Sequence, residues 1–223
     1  MPGDTLMKKT KYLMDLREAH FTSGLRNKDF SGVDLTGADF HGMQIVNVNF
    51  EGSQLDSLNL YDSDIVNCTF KKTNITRAIL KKARFMNCMF DGSKVSQADL
   101  GDTIIYRARI DNSDFHLSKL TGARIIDAFI TKSNFMGVNM SGACLTNVEI
   151  YTTSLQNINA EKGVVIGCKL IDSRLDHASF KNALIYDTKI ESCETEGMLL
   201  VDTRTDMDLE ALHGLKAIDV KRI

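Results

Sequence analysis

Large apolar residues recur at every fifth position along most of the chain. The series begins at Phe30, weakens at Ala160, slips at Thr195 and closes at Leu200, with no insertion that breaks its register. A period of five fits neither an α-helix, which repeats after about 3.6 residues, nor a β-strand, which repeats after about two. Self-similarity over such a span predicts a solenoid, in which short repeats stack on one another.

Each unit of five has a regular distribution of side chains around its central apolar residue. The residue two positions earlier is small, and the residue one position earlier is usually polar, as in Ala38-Asp39-Phe40 and Ala98-Asp99-Leu100. One large and one small residue therefore face inward, and three residues face water. Five residues cannot bury these groups alone, but stacked coils can.

Residues twenty apart behave as neighbours, which indicates that four units close one coil. Within residues 28–204, eleven opposite-charge pairs have this separation, among them Asp64–Arg84 and Arg107–Asp127, against three like-charge pairs. Stacked strands favour opposite charges on adjacent rungs. A coil of twenty also stacks two sets of inward phenylalanines, which are the predicted structural core: Phe30, Phe50, Phe70 and Phe90 in one, Phe115 and Phe135 in the other.

The units resemble those of the pentapeptide-repeat family, which read A(D/N)LXX. The best matches are Val33-Asp-Leu-Thr-Gly37, Ala38-Asp-Phe-His-Gly42, Ala98-Asp-Leu-Gly-Asp102 and Ala143-Cys-Leu-Thr-Asn147. The resemblance covers roughly residues 28–204. It implies an all-β solenoid, a right-handed quadrilateral β-helix of about nine coils with a filled interior.

Both ends of such a solenoid need a cap, because an open rung would pair with other chains. Residues 1–24 are expected to form a helical cap, with Leu6, Leu13 and Leu16 on one face. The β-helix is expected over residues 25–205 and a C-terminal cap over 206–223. Thr205 or Asp206 can cap a short helix over Met207–His213. Leu209, Leu212 and Leu215 are the candidate cap residues, or a homodimer contact of the kind that the resemblance implies.

Composition and motifs point away from catalysis. The five His residues show no metal-ligand spacing with one another, with Cys or with carboxylates, and no nucleophile elbow or phosphate loop is present. Four of the five cysteines, Cys68, Cys88, Cys168 and Cys193, take the small inward position. We therefore expect no enzyme, no catalytic or cofactor-binding residue, no cofactor and no metal site. The charged N-terminus lacks a signal peptide's apolar core, which favours a cytoplasmic protein without membrane contact.

Charges are grouped along the sequence, although the formal net charge is only -2. An acidic stretch runs from residue 29 to 64, and a basic stretch runs from Lys71 to Arg84. Direct nucleic-acid binding by the basic stretch would need outward aromatic residues beside its lysines and arginines, whereas Phe70 and Phe85 are expected to face inward. The candidate partner surface is the acidic stretch, represented by Asp29, Asp34, Asp39, Asp56, Asp62 and Asp64.

Two functions follow from these features. The first is a non-enzymatic scaffold for protein–protein interaction, whose partner the sequence does not identify. The alternative comes from the resemblance, since some family members mimic a DNA duplex and bind type II topoisomerases such as gyrase, which confers quinolone or toxin resistance. The basic stretch and the near-neutral charge count against duplex mimicry, which needs a phosphate-like acidic surface.

Overall fold

The computed structural model describes residues 24–210 and 212–222 of the chain. Within these residues every regular element is a short parallel β-strand, and the chain winds as a β-helix with four faces to a coil. The predicted N-terminal helix lies outside the described residues, apart from Gly24.

Side-chain size and backbone geometry explain why each unit of five forms one face. Central residues such as Ile65 and Phe85 are fully buried, as are the small residues two positions earlier, such as Ser63 and Ala83. The chain turns at the second residue after each centre, where φ is positive, for example 54° at Asn67. Asn and Gly tolerate this left-handed conformation better than other residues do, which explains their frequency at the corners.

Two faces carry regular sheets, and a third carries one at its C-terminal end. The first sheet has eleven strands, β1 (Leu25–Arg26), β2 (Gln44–Val46), β3 (Asp64–Val66), β4 (Arg84–Met86), β6 (Ile104–Tyr106), β8 (Arg124–Ile126), β10 (Cys144–Thr146), β12 (Val164–Ile166), β14 (Leu184–Tyr186), β17 (Arg204–Thr205) and β19 (Lys221–Arg222). The second has six strands, β5 (Met89–Asp91), β7 (Arg109–Asp111), β9 (Phe129–Thr131), β11 (Glu149–Tyr151), β13 (Lys169–Ile171) and β15 (Lys189–Glu191). The third pairs β16 (Leu199–Val201) with β18 (Lys216–Ile218).

The stacking register confirms the predicted coil of twenty residues. Ile45 pairs with Ile65 and Ile65 with Phe85, and isolated bridges on the other faces have the same separation, as between Asp34 and Gln54. Stacking extends beyond the predicted C-terminal limit at residue 205, since β19 belongs to the same sheet as β1.

The predicted phenylalanine core lies inside the coils. All six rings are at least 97% buried. Centroids are 5.1 Å apart between Phe50 and Phe70, 5.0 Å between Phe70 and Phe90, and 4.7 Å between Phe115 and Phe135. These are offset-stacking distances.

The prediction of a short helix over Met207–His213 is wrong. The described residues of that stretch form bends and turns. Had the register continued, residue 210 would occupy a central inward position, but it is Glu210, and burying an unpaired carboxylate is costly. The last coil is instead three residues shorter, so that Leu199 pairs with Lys216. The buried Met207 helps to close this end, while Glu210 stays exposed.

Candidate interaction surfaces

The outer surface of the eleven-stranded sheet carries an uninterrupted line of uncharged, mostly apolar side chains. Each is the last residue of its strand, following a buried central residue, so its side chain points away from the core. We call this line the apolar column, and its residues are Val46, Val66, Met86, Tyr106, Ile126, Thr146, Ile166 and Tyr186. Seven steps at a strand spacing of about 4.8 Å make the column roughly 34 Å long.

A second line of outward residues runs parallel to the column, at the first position of each strand. It is charged towards the N-terminal end, where Asp64 pairs with Arg84, and Arg124 follows two strands later. Towards the C-terminal end it becomes apolar, with Cys144, Val164 and Leu184. The column and the apolar end of the second line together form one apolar patch, and exposed apolar patches on soluble proteins are often interaction sites.

Charged residues lie at the corner beside the column. The guanidinium of Arg107 lies 4.8 Å from the Tyr106 ring centroid, and its Nε is 4.0 Å from a carboxylate oxygen of Asp127. Asn147 donates a hydrogen bond of 3.1 Å to the same carboxylate. These contacts hold one cation and one anion at the edge of the patch.

The six acidic residues predicted as a partner surface do not lie together on one face. Because a coil takes twenty residues, the acidic stretch winds around all four sides of the rod. Asp34 and Asp56 share a face, and Asp39 lies on the next, with Asp62 at its following corner. Asp64 lies in β3, and Asp29 forms an isolated bridge on the face that carries the six-stranded sheet further along the rod.

Most of these carboxylates are engaged by their neighbours. The side chain of Asn49 donates to Asp29 at 3.0 Å and that of Asn59 donates to Asp39 at 2.9 Å. Asp56 forms a 2.8 Å ion pair with Arg77. Contacts across coils therefore satisfy these carboxylates, and the Arg77 guanidinium also neutralises the charge of Asp56.

The predicted cap or dimer residues Leu209, Leu212 and Leu215 are partly buried and pack against the end of the core. A cavity of about 230 Å³ lies between β15 and this segment, lined by Ile190, Met207 and Leu212 among others. It arises because the shortened last coil does not place another strand on β15, which is the end strand of its sheet.

The cysteines divide into inward and outward groups. Burial raises the pKa of the Cys68 thiol to about 11 and that of Cys88 to about 12, so neither is a ready nucleophile at neutral pH. Cys144 is only partly buried and faces outward on β10. Among the described residues, no group of three or more His, Cys, Asp or Glu side chains is placed to hold a metal ion.

Sequence reasoning missed the apolar column, although its signal was present. From residue 46 to residue 186, every fourth unit has an uncharged and mostly apolar residue directly after its centre, and that pattern is visible only when the sequence is read in steps of twenty. In the part of the chain that the structure describes, no helix is long and apolar enough to span a bilayer.

A family model described as pentapeptide repeats matches the chain with eight copies, over residues 15–52, 53–92, 68–105, 83–122 and 113–150. No curated protein matches the sequence.

Several solved structures are similar to this one. HetL, a pentapeptide repeat protein involved in heterocyst differentiation regulation in the cyanobacterium Nostoc sp. strain PCC 7120, is 16% identical, with a TM-score of 0.45 over 85% of this chain and 89% of HetL. QnrB1, a plasmid-mediated fluoroquinolone resistance protein, is 18% identical in one of its trypsin-treated forms, with a TM-score of 0.46 over 90% of each chain.

Proposed function

The chain belongs to the pentapeptide-repeat family, and from this premise we propose that it is a non-enzymatic scaffold that binds another protein through the apolar column. The observation that carries the proposal is the column itself. Eight successive rungs present uncharged side chains to solvent, whereas the faces that contain Asp34 and Asp39 carry mainly polar residues outside. The core of the coils is formed by inward residues, so a continuous line of outward apolar residues is not needed to fill it, and exposed apolar patches often mark protein-binding sites.

The proposal is tested by charging the column without disturbing the core. The variant Ile126→Lys/Ile166→Lys adds two cations to it, and the control Met136→Lys/Gln156→Lys adds two on another face, at the same position directly after the central residue. Tagged forms of the wild type and both variants, checked for equal melting temperature, are incubated with native lysate, and the captured proteins are quantified by mass spectrometry.

We expect the wild type and the control to capture the same protein, and the column variant to lose it. A protein counts as captured here even if it is a second copy of this chain. Identical capture by all three forms, or loss in the control alone, would refute docking through the column.

The duplex-mimicking topoisomerase binder is the second candidate, and the rod of stacked coils favours it. It would use the carboxylates Asp29, Asp34, Asp39, Asp56, Asp62 and Asp64 rather than the apolar column. A gyrase supercoiling assay, with and without a quinolone, separates the two candidates. If micromolar protein inhibits supercoiling or protects gyrase from the quinolone, and the column variant does the same, the result would support the mimic. No effect with or without the quinolone would refute it.

A further inference from the structure

We propose that the protein docked on the apolar column is a second copy of this chain, a proposal that rests on the function proposed above. The two rods lie antiparallel, with their eleven-stranded sheets face to face. The two-fold axis runs parallel to the strands and passes midway between β6 and β8. Such an interface is isologous, so that every contact occurs twice.

The strand register decides which residues meet across this axis. Because adjacent strands pair at intervals of twenty residues without a bulge, the rotation superimposes the column on itself, in reversed order. All eight column residues then face another column residue. The facing pairs, each formed twice, are Val46 with Tyr186, Val66 with Ile166, Met86 with Thr146, and Tyr106 with Ile126.

The corner charges are complementary in the same register. Arg107 of one copy faces Asp127 of the other, and with the intrachain pair they form a square of alternating charges at the centre. On the opposite edge, Asp62 faces Lys162, and both are corner residues with positive φ. No two like charges face each other along the matched rungs of the strands and the two corner rows.

A further pair lies at each end of the interface. Arg26 follows Leu25 in β1, and Asp206 directly follows β17, where its carboxylate accepts hydrogen bonds from the Asp187 amide of the same chain. The rotation brings Arg26 of one copy opposite Asp206 of the other. Complementary charges therefore lie at the centre and at both ends.

Neighbouring registers lack this complementarity. A shift of one coil in one direction sets Arg107 against Arg107 and Asp102 against Asp102. A shift in the other direction sets Asp127 against Asp127 and Lys82 against Lys162. Facing like charges are destabilising, so the surface charges select one register from three that would bury nearly the same apolar residues.

Arg84 and Arg124 are the charged side chains nearest the middle of the interface. In this arrangement Arg84 faces Cys144, and Arg124 faces Ile104. The Arg84 side chain is 56% exposed and paired with Asp64. Long arginine side chains can cover an apolar surface while the guanidinium remains in water at the rim.

The area of the proposed interface, with its corner rows included, indicates the strength of the dimer. A surface about 34 Å long and four residues, or about 13 Å, wide covers on the order of 450 Å² per copy. Two copies together approach the roughly 1,000 Å² that a specific interface needs, but not the larger area of an obligate one. We therefore expect a reversible dimer that forms in the micromolar range.

Sedimentation velocity from about 1 to 100 µM, a range spanning weak reversible association, tests the proposal with charge-reversed variants. We expect the wild type to dimerise, and Arg107→Asp and Asp127→Arg each to weaken the dimer on the order of a hundredfold, because each places like charges together twice. The double variant Arg107→Asp/Asp127→Arg restores the alternating square and should dimerise. Lys94→Asp, on a face outside the interface, is the control and should leave the dimer intact.

Mixing the two single variants gives the sharpest readout. Each is monomeric alone, but their equimolar mixture should form a heterodimer, since the two aspartates of the Arg107→Asp copy then face the two arginines of the Asp127→Arg copy. Damage to the fold could not produce that result. A monomeric wild type at about 100 µM, single variants that dimerise normally through another surface such as the C-terminus, or a mixture that stays monomeric would each overturn the proposal. Loss of captured protein in the column variant would still support the proposed function in those cases.

Discussion

Ala160→Val should stabilise the coils, because Ala160 leaves space in an otherwise filled interior. It occupies a central position at which the neighbouring coils place Met140 and Phe180, and a cavity of about 30 Å³ lies beside it. The cavity is apolar, with Ile130, Phe135 and Leu155 among its lining residues. Valine adds two carbon atoms at this place.

The size of the effect follows from the cavity and from the buried groups. Removing a cavity of this volume recovers about 0.7 kcal/mol at roughly 24 cal/mol per Å³. Burying two further methyl groups contributes up to about 1.6 kcal/mol, from which restricted packing of the branched side chain subtracts. We expect the free energy of unfolding to rise by about 1–2 kcal/mol.

Gly163→Ala is the matched control, since it adds a methyl group beside the same cavity. Its added Cβ would lie 2.9 Å from the carbonyl oxygen of Ala160 and 3.2 Å from that of Ala143, so backbone has to shift and no gain is expected. Guanidinium unfolding followed by circular dichroism measures both variants. A midpoint for Ala160→Val at or below that of the wild type, with an unchanged slope, would refute the reasoning, and so would a gain for Gly163→Ala.

Three further predictions concern the corners, the core and the thiols. Asn67 lies at a corner with φ of 54° and forms hydrogen bonds with the asparagines one coil above and below. Both Asn67→Ala and Asn67→Gly lose these bonds, but alanine is strained at positive φ, so Asn67→Ala should lower the free energy of unfolding by about 1 kcal/mol more than Asn67→Gly. Equal midpoints in denaturant would contradict this prediction. Phe70→Asp should prevent formation of the coils, because it places an unpaired charge between stacked rings. A melting curve like that of the wild type would contradict this prediction. Iodoacetamide at about pH 8, near the usual thiol pKa, added to protein dilute enough to be monomeric, should alkylate Cys144 ahead of Cys68 and Cys88, whose buried thiols have raised pKa values of about 11 and about 12. Mass spectrometry of peptides identifies the order, and early labelling of Cys88 would contradict the burial argument.

The interior could be predicted from sequence because it depends on local order. Each inward position is set by its own unit of five, so Phe50 and Phe70 are recognised as stacked neighbours once the coil length is known. The spacing of opposite charges at intervals of twenty predicts that length, and the pairing of Asp64 with Arg84 on adjacent strands confirms it.

The C-terminal end was mispredicted because a local signal competed with stacking. Thr205 and the spacing of Leu209 and Leu212 favour a helix. In the structure the Thr205 hydroxyl accepts a hydrogen bond from the Met207 amide, and the Asp208 carboxylate accepts one from the Glu210 amide, and both serve tight turns instead. The strands that follow pair with β16 and β17 of the preceding coil, and a helix of about two turns would not provide this pairing.

The surface required a different way of reading the sequence. On a rod with four faces, residues adjacent in sequence soon point in different directions, so an acidic run such as Asp29 to Asp64 is wound around the molecule and forms no patch. A contiguous patch along one face of this fold consists of residues at intervals of twenty in the sequence, as in the apolar column. Selection on such a surface leaves the local repeat intact, because it acts on positions that the core does not constrain. The charge pattern of Arg107 and Asp127 illustrates the consequence. Within one chain the two residues stabilise adjacent coils, and the same interval lets them specify the register of a partner built on the same repeat.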